Sequence, residues 1–328
     1  MPNETAVQHT ESLQTSPKSL TISPYNVELN ELTERIKKYI SEKGHVNIDL
    51  PILMSRDSQD GVFIEDSKIF KTPTKSLRYD LTLPLFYYCE QLGIYDTIKS
   101  FSFGPVFRVE DEDISHLSEF HQFEIDIINS KSISDDILIG KYMKEMAKML
   151  FGDEYIELRI NYRPLTEWLF TLSVVSSRQE FYNKLDAIDK EFTSENIQSL
   201  FKDNCNLAKR VLQSSTVEEL EEIDEIPRNI IEYFNTYKSL DDDCIIRPLL
   251  ARGALYYDGV VYEMFHPKLN SAIMGGGRGS MNGISRVGAS FGLERLVICN
   301  KALSWKDREK RIYNYSVYIK LSFIIIWI

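Results

Sequence analysis

The sequence contains few cysteines and no apolar run long enough to cross a membrane. Its four cysteines, Cys89, Cys205, Cys244 and Cys299, are far apart and form no CxxC pair. This spacing argues against a disulfide framework and a zinc site, and it favours a protein of the reducing cytoplasm. The apolar run at residues 322–328 is far shorter than the roughly 20 residues of a membrane helix. We interpret it as a terminal strand, a partner contact or the result of truncation.

Positive charge is also scarce. The net charge of −11 argues against a general polyanion-binding surface, because nonspecific affinity for nucleic acids comes mainly from Lys and Arg. The acidity is concentrated in residues 178–243, which contain twice as many acidic as basic side chains. Residues 1–19 have neither apolar periodicity nor a signal-peptide core, which predicts a flexible lead-in.

Apolar periodicity predicts the first elements of the chain. Residues 25–43 have the spacing of an amphipathic helix, and residues 45–50 alternate like a strand. A further helix is predicted over residues 137–150. Residues 164–239 are helical in pattern, acidic and free of glycine, which indicates an inserted helical domain.

Strand patterns resume after the helical segment. Residues 256–263 are predicted to form a strand, and residues 287–296 a strand that continues into a helix. Between them, the glycine-rich residues 275–279 predict a flexible loop.

Two alternating stretches, residues 100–110 and 119–129, predict an antiparallel hairpin with a long loop. One face of the hairpin is apolar. A solvated polar face is common on such hairpins, but these polar residues are large and capable of specific pairing, which favours a sheet floor under a ligand. They are Arg108, Glu110, Gln122, Glu124 and Asp126.

Three segments together resemble the signature motifs of class II aminoacyl-tRNA synthetases. Residues 44–53, after a helix, resemble the first motif. Residues 107–120 contain Phe-Arg-Val-Glu and resemble the second, and residues 288–295 end in Gly-Leu-Glu-Arg and resemble the third. The segments Leu-Arg-Tyr-Asp-Leu-Thr and Ala-Arg-Gly-Ala-Leu-Tyr-Tyr are similar to those of histidyl enzymes. The resemblance covers about residues 24–301.

The resemblance implies an α+β fold of the class II synthetase type, in which helices flank an antiparallel sheet and a helical domain is inserted. The implied parts are a flexible segment (1–19), the first part of the catalytic core with two motifs (20–163), a helical insertion (164–244), the second part of the core with the third motif (245–300) and a tail (301–328).

The implied activity is the ATP-dependent activation of an amino acid, with histidine suspected, to an aminoacyl-adenylate. This reaction brings two anions together, and arginine stabilises the charge with a planar, permanently cationic fork. Magnesium would bridge the phosphates. The resemblance assigns catalysis to Arg108, Arg252 and Arg295, ATP binding to Glu110, His116 and Phe120, and amino-acid binding to Asp80, Thr82, Gln122, Asp126, Tyr256 and Tyr257. The two tyrosines should point to opposite strand faces, so we expect only one to reach a ligand.

The resemblance also implies partners, with some departures from the family pattern. A homodimer is expected through the first motif, and the tRNA acceptor end is a possible substrate. Residues 111–118 are acidic where histidyl enzymes carry arginines, which weakens the expected grip on tRNA. Gly279 and Ser280 replace a tyrosine and an aspartate, which removes a ring near the expected pocket.

Only 28 residues follow Asn300, which are too few for the anticodon-binding domain that follows the third motif in histidyl enzymes. We therefore expect a stand-alone paralogue, a fragment or a truncated product. One alternative function is that of a noncatalytic protein resembling the regulatory subunit of ATP phosphoribosyltransferase, and another is an adenylating enzyme with a non-tRNA acceptor. The retained arginines favour an enzyme.

Overall fold

The computed structural model describes residues 24–62, 66–110, 117–152, 154–251, 254–267 and 270–304. The strands are β1 (Val46–Asn47), β2 (Leu53–Ser55), β3 (Lys75–Leu77), β4 (Ile98–Phe107), β5 (Glu119–Ile128), β6 (Glu157–Tyr162), β7 (Ile245–Ile246), β8 (Tyr257–His266), β9 (Ser271–Met281) and β10 (Ile284–Gly292). The helices are α1 (Pro24–Glu42), α2 (Thr82–Leu92), α3 (Ile133–Phe151), α4 (Arg163–Leu172), α5 (Arg178–Lys190), α6 (Ser194–Phe201), α7 (Cys205–Gln213), α8 (Val217–Glu221), α9 (Arg228–Leu240) and α10 (Leu293–Ser304).

An eight-stranded sheet in the order β1-β4-β5-β10-β9-β8-β6-β7 forms the centre of the fold. Its inner pairs are antiparallel, whereas β1 pairs with β4 and β7 with β6 in parallel at the two edges. Strands β2 and β3 form a separate antiparallel pair. The predicted α+β class with a sheet flanked by helices is therefore confirmed, with parallel pairing added at the edges.

The predicted hairpin is confirmed as β4 and β5, which pair from Ile98 opposite Ile128 to Phe107 opposite Glu119. The strand ends earlier than expected, so Arg108 and Glu110 follow β4 and do not lie in it. The reason is that the backbone changes partner: the Val109 amide donates to the carbonyl of Lys68 at 2.9 Å. The predicted first strand is also shorter, since only residues 46–47 pair with β4.

The prediction of a flexible loop at residues 275–279 is wrong, because these residues lie inside β9. Glycine is needed there for close packing of strands. A Cβ on Gly276 would clash with the carbonyl oxygen of Gly288 and would lie 2.6 Å from the Cα of Ala289. A Cβ on Gly279 would lie 2.5 Å from the carbonyl oxygen of Tyr256.

The apolar face of the sheet is held by a stack of aromatic rings across three strands. The ring of Phe123 on β5 lies between Phe101 on β4 and Phe291 on β10, with centroid distances of 5.5 Å on both sides. Such stacked pairs add roughly 0.5–1.5 kcal/mol each beyond the burial of their area. Helix α3 packs against the sheet through Met143 and Met146, which are fully buried.

Helices α4 to α9 lie in the segment that the sequence predicts to be a helical insertion. Side-chain caps begin several of them: Ser177 caps α5, Thr193 caps α6, and Thr216 forms a capping box with Glu219 at α8. The domain boundaries at 164 and 244 stay predictions.

The predicted segment 1–19 and the apolar run at 322–328 lie outside the described residues, as does most of the predicted tail. No helix in the described ranges is long and apolar enough to span a membrane.

We expect Gly276→Ala to lower the free energy of unfolding by about 3 kcal/mol or to prevent folding, because its methyl group meets backbone that cannot move aside. Urea denaturation measures the loss. Gly283→Ala is the control, since Gly283 has a φ of +80° but open space around its Cβ position. That change should remove only about 1–2 kcal/mol. Equal losses in both variants would contradict the packing argument.

Candidate active site

An open cavity of about 530 Å³ lies over the polar face of the sheet. Sites for small molecules usually measure about 300–1,000 Å³. Residues from β5, β9, β10 and the start of α10 line it, together with part of α5. The predicted site residues that line it are Asp80, Thr82, Arg108, Glu110, Phe120, Gln122, Tyr256, Tyr257 and Arg295.

Three predicted site residues are not seen along this wall. Asp126 is fully buried, and its carboxylate is bonded to an arginine behind the cavity. His116 and Arg252 lie outside the described residues. Most of the side chains that the sequence predicts for the site thus line one cavity, whereas Asp126 does not reach it.

Two aromatic rings fix the guanidinium of Arg108 at the cavity. Its Cζ lies 4.3 Å from the ring centroid of Tyr79 and 5.1 Å from that of Phe120. Its Nε also donates to the carbonyl of Tyr79 at 3.2 Å. Burial is the largest cause that raises the pKa of Tyr79, so its hydroxyl stays neutral. Cation–π contacts of this kind hold the cation in place without neutralising its charge.

A lysine that the sequence analysis missed lies beside Arg108. Lys68 Nζ is 3.1 Å from Glu110 Oε2, and both residues line the cavity. Glu110, which was predicted to accept from the adenine amino group, is therefore paired with a cation. Lys68 belongs to no recognisable pattern, so local sequence gave no signal for it.

The start of α10 is attached to β5 by Glu294. Its carboxylate accepts from the His121 backbone amide at 3.0 and 2.9 Å and contacts the His121 ring Nδ1 at 2.8 Å. The hydrogen bond with Glu294 is the largest cause that raises the pKa of His121. The next residue, Arg295, donates from Nη1 to the carbonyl of Ala272 at 3.3 Å. These contacts fix the third-motif residues relative to β5 and β9.

Asp80 is a buried residue of the cavity wall, and two hydrogen bonds hold its carboxylate. Its Oδ1 accepts from the Leu83 amide at 3.0 Å, and its Oδ2 accepts from the Tyr256 hydroxyl at 3.0 Å. Burial raises the pKa of Asp80. Tyr256 and Tyr257 both line the cavity, and the expectation that only one of them reaches a ligand stays a prediction. Tyr256 precedes β8, and the two rings contact each other with centroids 4.8 Å apart.

Behind the cavity floor, Arg286 forms a buried ion-pair network that sequence reasoning missed. Its Nη2 is 2.9 Å from Glu124 Oε1, and its Nε donates to Asp126 Oδ1. Burial is the first cause that raises the pKa of both carboxyl groups, in the case of Asp126 to about 6. The sequence did contain one sign of it. Arg286 and Gly288 are two residues apart on β10, so they lie on the same, polar face of the strand.

Helix α5 of the insertion forms one wall of the cavity. The Tyr182 ring lies under the guanidinium of Arg163, with 4.1 Å from Cζ to the centroid. The Tyr182 hydroxyl donates to Glu167 Oε1 at 2.7 Å. Side chains of α5 therefore contribute to the cavity wall. Its lining residues are Tyr182, Asn183, Asp186 and Lys190.

Comparison with known proteins shows the same architecture. Residues 37–185 match the family model of the tRNA synthetases class II core domain (F). The histidine–tRNA ligase of Flavobacterium johnsoniae is 28% identical over 264 residues, which cover 70% of this chain and 54% of that protein. Residues 37–185 are therefore similar to a class II tRNA synthetase core, and the chain is similar to histidine–tRNA ligases.

Solved structures share the fold of this synthetase core. An ATP phosphoribosyltransferase regulatory subunit/histidyl-tRNA synthetase from Bacillus halodurans C has a TM-score of 0.72 at 17% identity, covering 88% of this chain and 83% of that one. A chain of the ATP phosphoribosyl transferase (HisG:HisZ) complex from Thermotoga maritima has a TM-score of 0.62 at 18% identity, covering 81% and 97%. The chain thus spans about half of the Flavobacterium relative but most of these two structures.

The His121–Glu294 pair predicts a pH-dependent stability of the synthetase core. Because the pKa of His121 is raised above 6.5 on folding, its stabilisation is complete below about pH 6.5 and is lost as pH rises through the folded pKa. His121→Phe keeps the ring contact with Phe103 and the backbone bond to Glu294. We expect the difference in thermal stability between wild type and variant to be larger near pH 6 than near pH 8.5. Parallel pH curves would contradict this.

Proposed function

We propose that the chain uses ATP to activate an amino acid as an aminoacyl-adenylate, the first step of a histidine–tRNA ligase. The observation that carries the proposal is the arginine clamp: Arg108 is held between Tyr79 and Phe120 in the same cavity as Arg295. A fixed cation that keeps its charge suits a reaction that joins two anions.

In this reaction a carboxylate oxygen of the amino acid attacks the α-phosphorus of ATP. The bond from the α-phosphorus to the bridging oxygen breaks, and pyrophosphate leaves with the electron pair. Arg108 is placed to stabilise the charge of the α-phosphate and the carboxylate, and Arg295 to bind the γ-phosphate. The family resemblance gives Arg252 and His116 supporting roles at the phosphates.

The adenine base would lie near Phe120 and Glu110. One side of the Phe120 ring faces Arg108, so the base would stack on the other side. Glu110 would accept from the adenine amino group while Lys68 remains its charge partner at 3.1 Å. Lys68 would then add a second cation close to the nucleotide.

Asp80, Thr82 and Gln122 suit the α-ammonium of an amino acid. Asp80 is a buried carboxyl at the cavity wall, and Gln122 Oε1 is a buried amide oxygen that accepts no hydrogen bond from the described residues. A cationic amine supplies the donors that these acceptors need. The hydroxyls of Tyr256 and Tyr257 would complete the polar surroundings.

Magnesium would neutralise charge on the phosphates when ATP binds. Within the described ranges, no group of three His, Cys, Asp or Glu side chains is arranged to hold a metal ion. Magnesium usually keeps several waters and binds mainly through substrate phosphates with one or two carboxylates.

We expect Arg108→Ala and Arg295→Ala each to reduce amino-acid-dependent pyrophosphate exchange by about 100-fold or more, because charge in the transition state loses its partner. Arg108→Lys should be intermediate, since it keeps the charge but not the planar fork. The control is Arg159→Ala, which removes an arginine paired with Glu157 away from the cavity. Full exchange activity in both cavity variants would refute the proposed site.

We also propose a homodimer, in which the first motif forms the interface as the family resemblance implies. Val46 on edge strand β1 and Leu53 on β2 are 53% and 57% exposed, so both side chains are available to a partner. Covering them with a second copy would remove this apolar surface from water.

Light scattering should therefore give the mass of a dimer at micromolar concentration. Val46→Glu together with Leu53→Glu should shift the mass towards the monomer, because a charge would be buried in the interface. Tyr155→Glu is the control, since Tyr155 is 66% exposed and precedes β6, near the other edge of the sheet. A monomeric wild type would exclude this arrangement.

The same assays distinguish the proposed function from two others. The similarity to a chain of an ATP phosphoribosyl transferase complex supports a noncatalytic regulatory role as the alternative. Amino-acid binding without exchange would favour that role. Exchange without charging of tRNA would favour an adenylating enzyme with another acceptor, and efficient charging would favour a tRNA ligase.

A further inference from the structure

Gln59 is a fully buried glutamine in the turn that follows β2. Its Nε2 donates to Ser76 Oγ at 2.9 Å and to the carbonyl of Leu77 at 2.8 Å. Its Oε1 accepts from the backbone amide of Tyr79 at 2.9 Å. A buried amide group is costly unless its donors and its acceptor find partners, and here both ends of the group are bonded. Gln59 therefore connects the turn to β3 and to Tyr79, two residues beyond β3.

Tyr79 links Gln59 to the arginine clamp. The carbonyl of Tyr79 accepts from Arg108 Nε at 3.2 Å, and the centroid of its ring lies 4.3 Å from Arg108 Cζ. One residue thus supplies both a hydrogen-bond acceptor and an aromatic face to the guanidinium. Gln59 does not line the cavity, so any effect that it has on a ligand passes through its neighbours. Of these neighbours, Tyr79 is the one that contacts Arg108.

The turn itself is held by bonds that do not involve the Gln59 side chain. The Tyr87 hydroxyl on α2 donates to the carbonyl of Ser58 at 2.8 Å, and the Leu255 amide donates to the carbonyl of Val62 at 2.8 Å. Because these bonds do not depend on the side chain at position 59, we expect the turn to keep its place when that side chain is changed. The local loss is then the contact with β3 and Tyr79.

The backbone before Tyr79 is also fixed. Arg78 donates from Nε to the carbonyl of Pro105 and from Nη1 to the carbonyl of Leu50, both at 2.7 Å. These bonds limit how far Tyr79 can move when its amide loses Gln59. A misplacement of about 1 Å can reduce a reaction rate about 100-fold, so a smaller shift of the clamp should reduce it about 10-fold.

We propose that Gln59 is a positioning residue, which sets the direction of the Arg108 guanidinium by fixing Tyr79. The inference rests on the proposed activation of an amino acid, in which Arg108 stabilises charge on the α-phosphate and the carboxylate. A guanidinium forms paired hydrogen bonds to such groups only in the right orientation, so its direction matters as well as its charge. Gln59 lies outside the three segments that resemble the synthetase motifs.

The test replaces Gln59 with methionine, which is also unbranched but has no amide group. We expect Gln59→Met to lower kcat of amino-acid-dependent pyrophosphate exchange about 10-fold, because Arg108 would be misplaced in the transition state. The value of kcat/KM for ATP should fall by a similar factor, so that KM changes less than about 3-fold. Unchanged kcat, with or without a change in KM, would overturn the proposal. If Gln59→Met does not fold, Gln59→Asn replaces it, since its shorter side chain draws the amide away from Tyr79.

A double-mutant cycle with Arg108→Lys separates positioning from a general loss of stability. Lysine keeps the charge but has no planar fork for Tyr79 to orient. If Gln59 acts through Arg108, adding Gln59→Met to Arg108→Lys should lower kcat by less than about 2-fold further. A further loss of about 10-fold would mean that Gln59 acts independently of Arg108, and it would overturn the proposal.

The matched control is Ser76→Ala, which removes one bond of Gln59 but leaves its bond to Tyr79. Ser76 is also fully buried, and its Oγ donates to the carbonyl of Ser55 at 3.1 Å. The variant should therefore lose thermal stability, whereas its kcat should stay within about 2-fold of the wild type. A fall in kcat equal to that of Gln59→Met would overturn the proposal.

Crystal structures of the wild type and of Gln59→Met give a readout that requires no activity. In the variant, Arg108 Cζ should leave its place 4.3 Å from the ring centroid of Tyr79. An unchanged guanidinium would overturn the role of Gln59, whether or not the wild type is active. If the wild type supports no exchange with any amino acid, the proposed activation fails, and the two structures alone decide whether Gln59 positions Arg108.

Discussion

One buried ion-pair network holds the centre of the sheet, and much of the site depends on it. Arg286 on β10 joins Glu124 and Asp126 on β5, and Thr82 at the start of α2 donates to Glu124. Removing one partner from such a network leaves an uncompensated buried charge, which typically costs about 3–5 kcal/mol. The network therefore fixes two strands and a helix relative to one another, and with them the residues that face the cavity.

Local sequence patterns predicted the helices and strands, whereas contacts between residues far apart in sequence decided where they end. The hairpin followed from alternation alone, but the end of β4 at Phe107 depends on a backbone bond from Val109 to Lys68, which no local pattern encodes. The glycine-rich part of β9 was wrongly predicted to be a flexible loop. Glycine occurs both in flexible loops and where two strands pack too closely for a Cβ atom, so the residue type alone cannot separate the two cases. Only the neighbouring backbone distinguishes the two, such as the Gly288 carbonyl oxygen and the Ala289 Cα beside Gly276.

The sequence predicted those residues of the candidate site that belong to the three motifs. Arg108 and Arg295 belong to such motifs, and both line the cavity. The rings on either side of Arg108 come from different segments, so their joint contact with it appears only in three dimensions. Alternation along β10 placed Arg286 on the polar face, but it could not say that the guanidinium pairs with carboxylates and lies behind the cavity.

The wall contributed by α5 connects two parts of the chain that are separate in sequence. Tyr182 and Lys190 belong to the helical insertion, whereas Arg108 and Arg295 belong to the core, and all four line one cavity. A ligand that contacts both parts binds only when they are correctly placed, so its binding free energy also holds the insertion against the core. At about a hundred times Kd this stabilisation is about 2.7 kcal/mol. A ligand that contacts both walls of the cavity would therefore couple the position of α5 to the occupancy of the cavity.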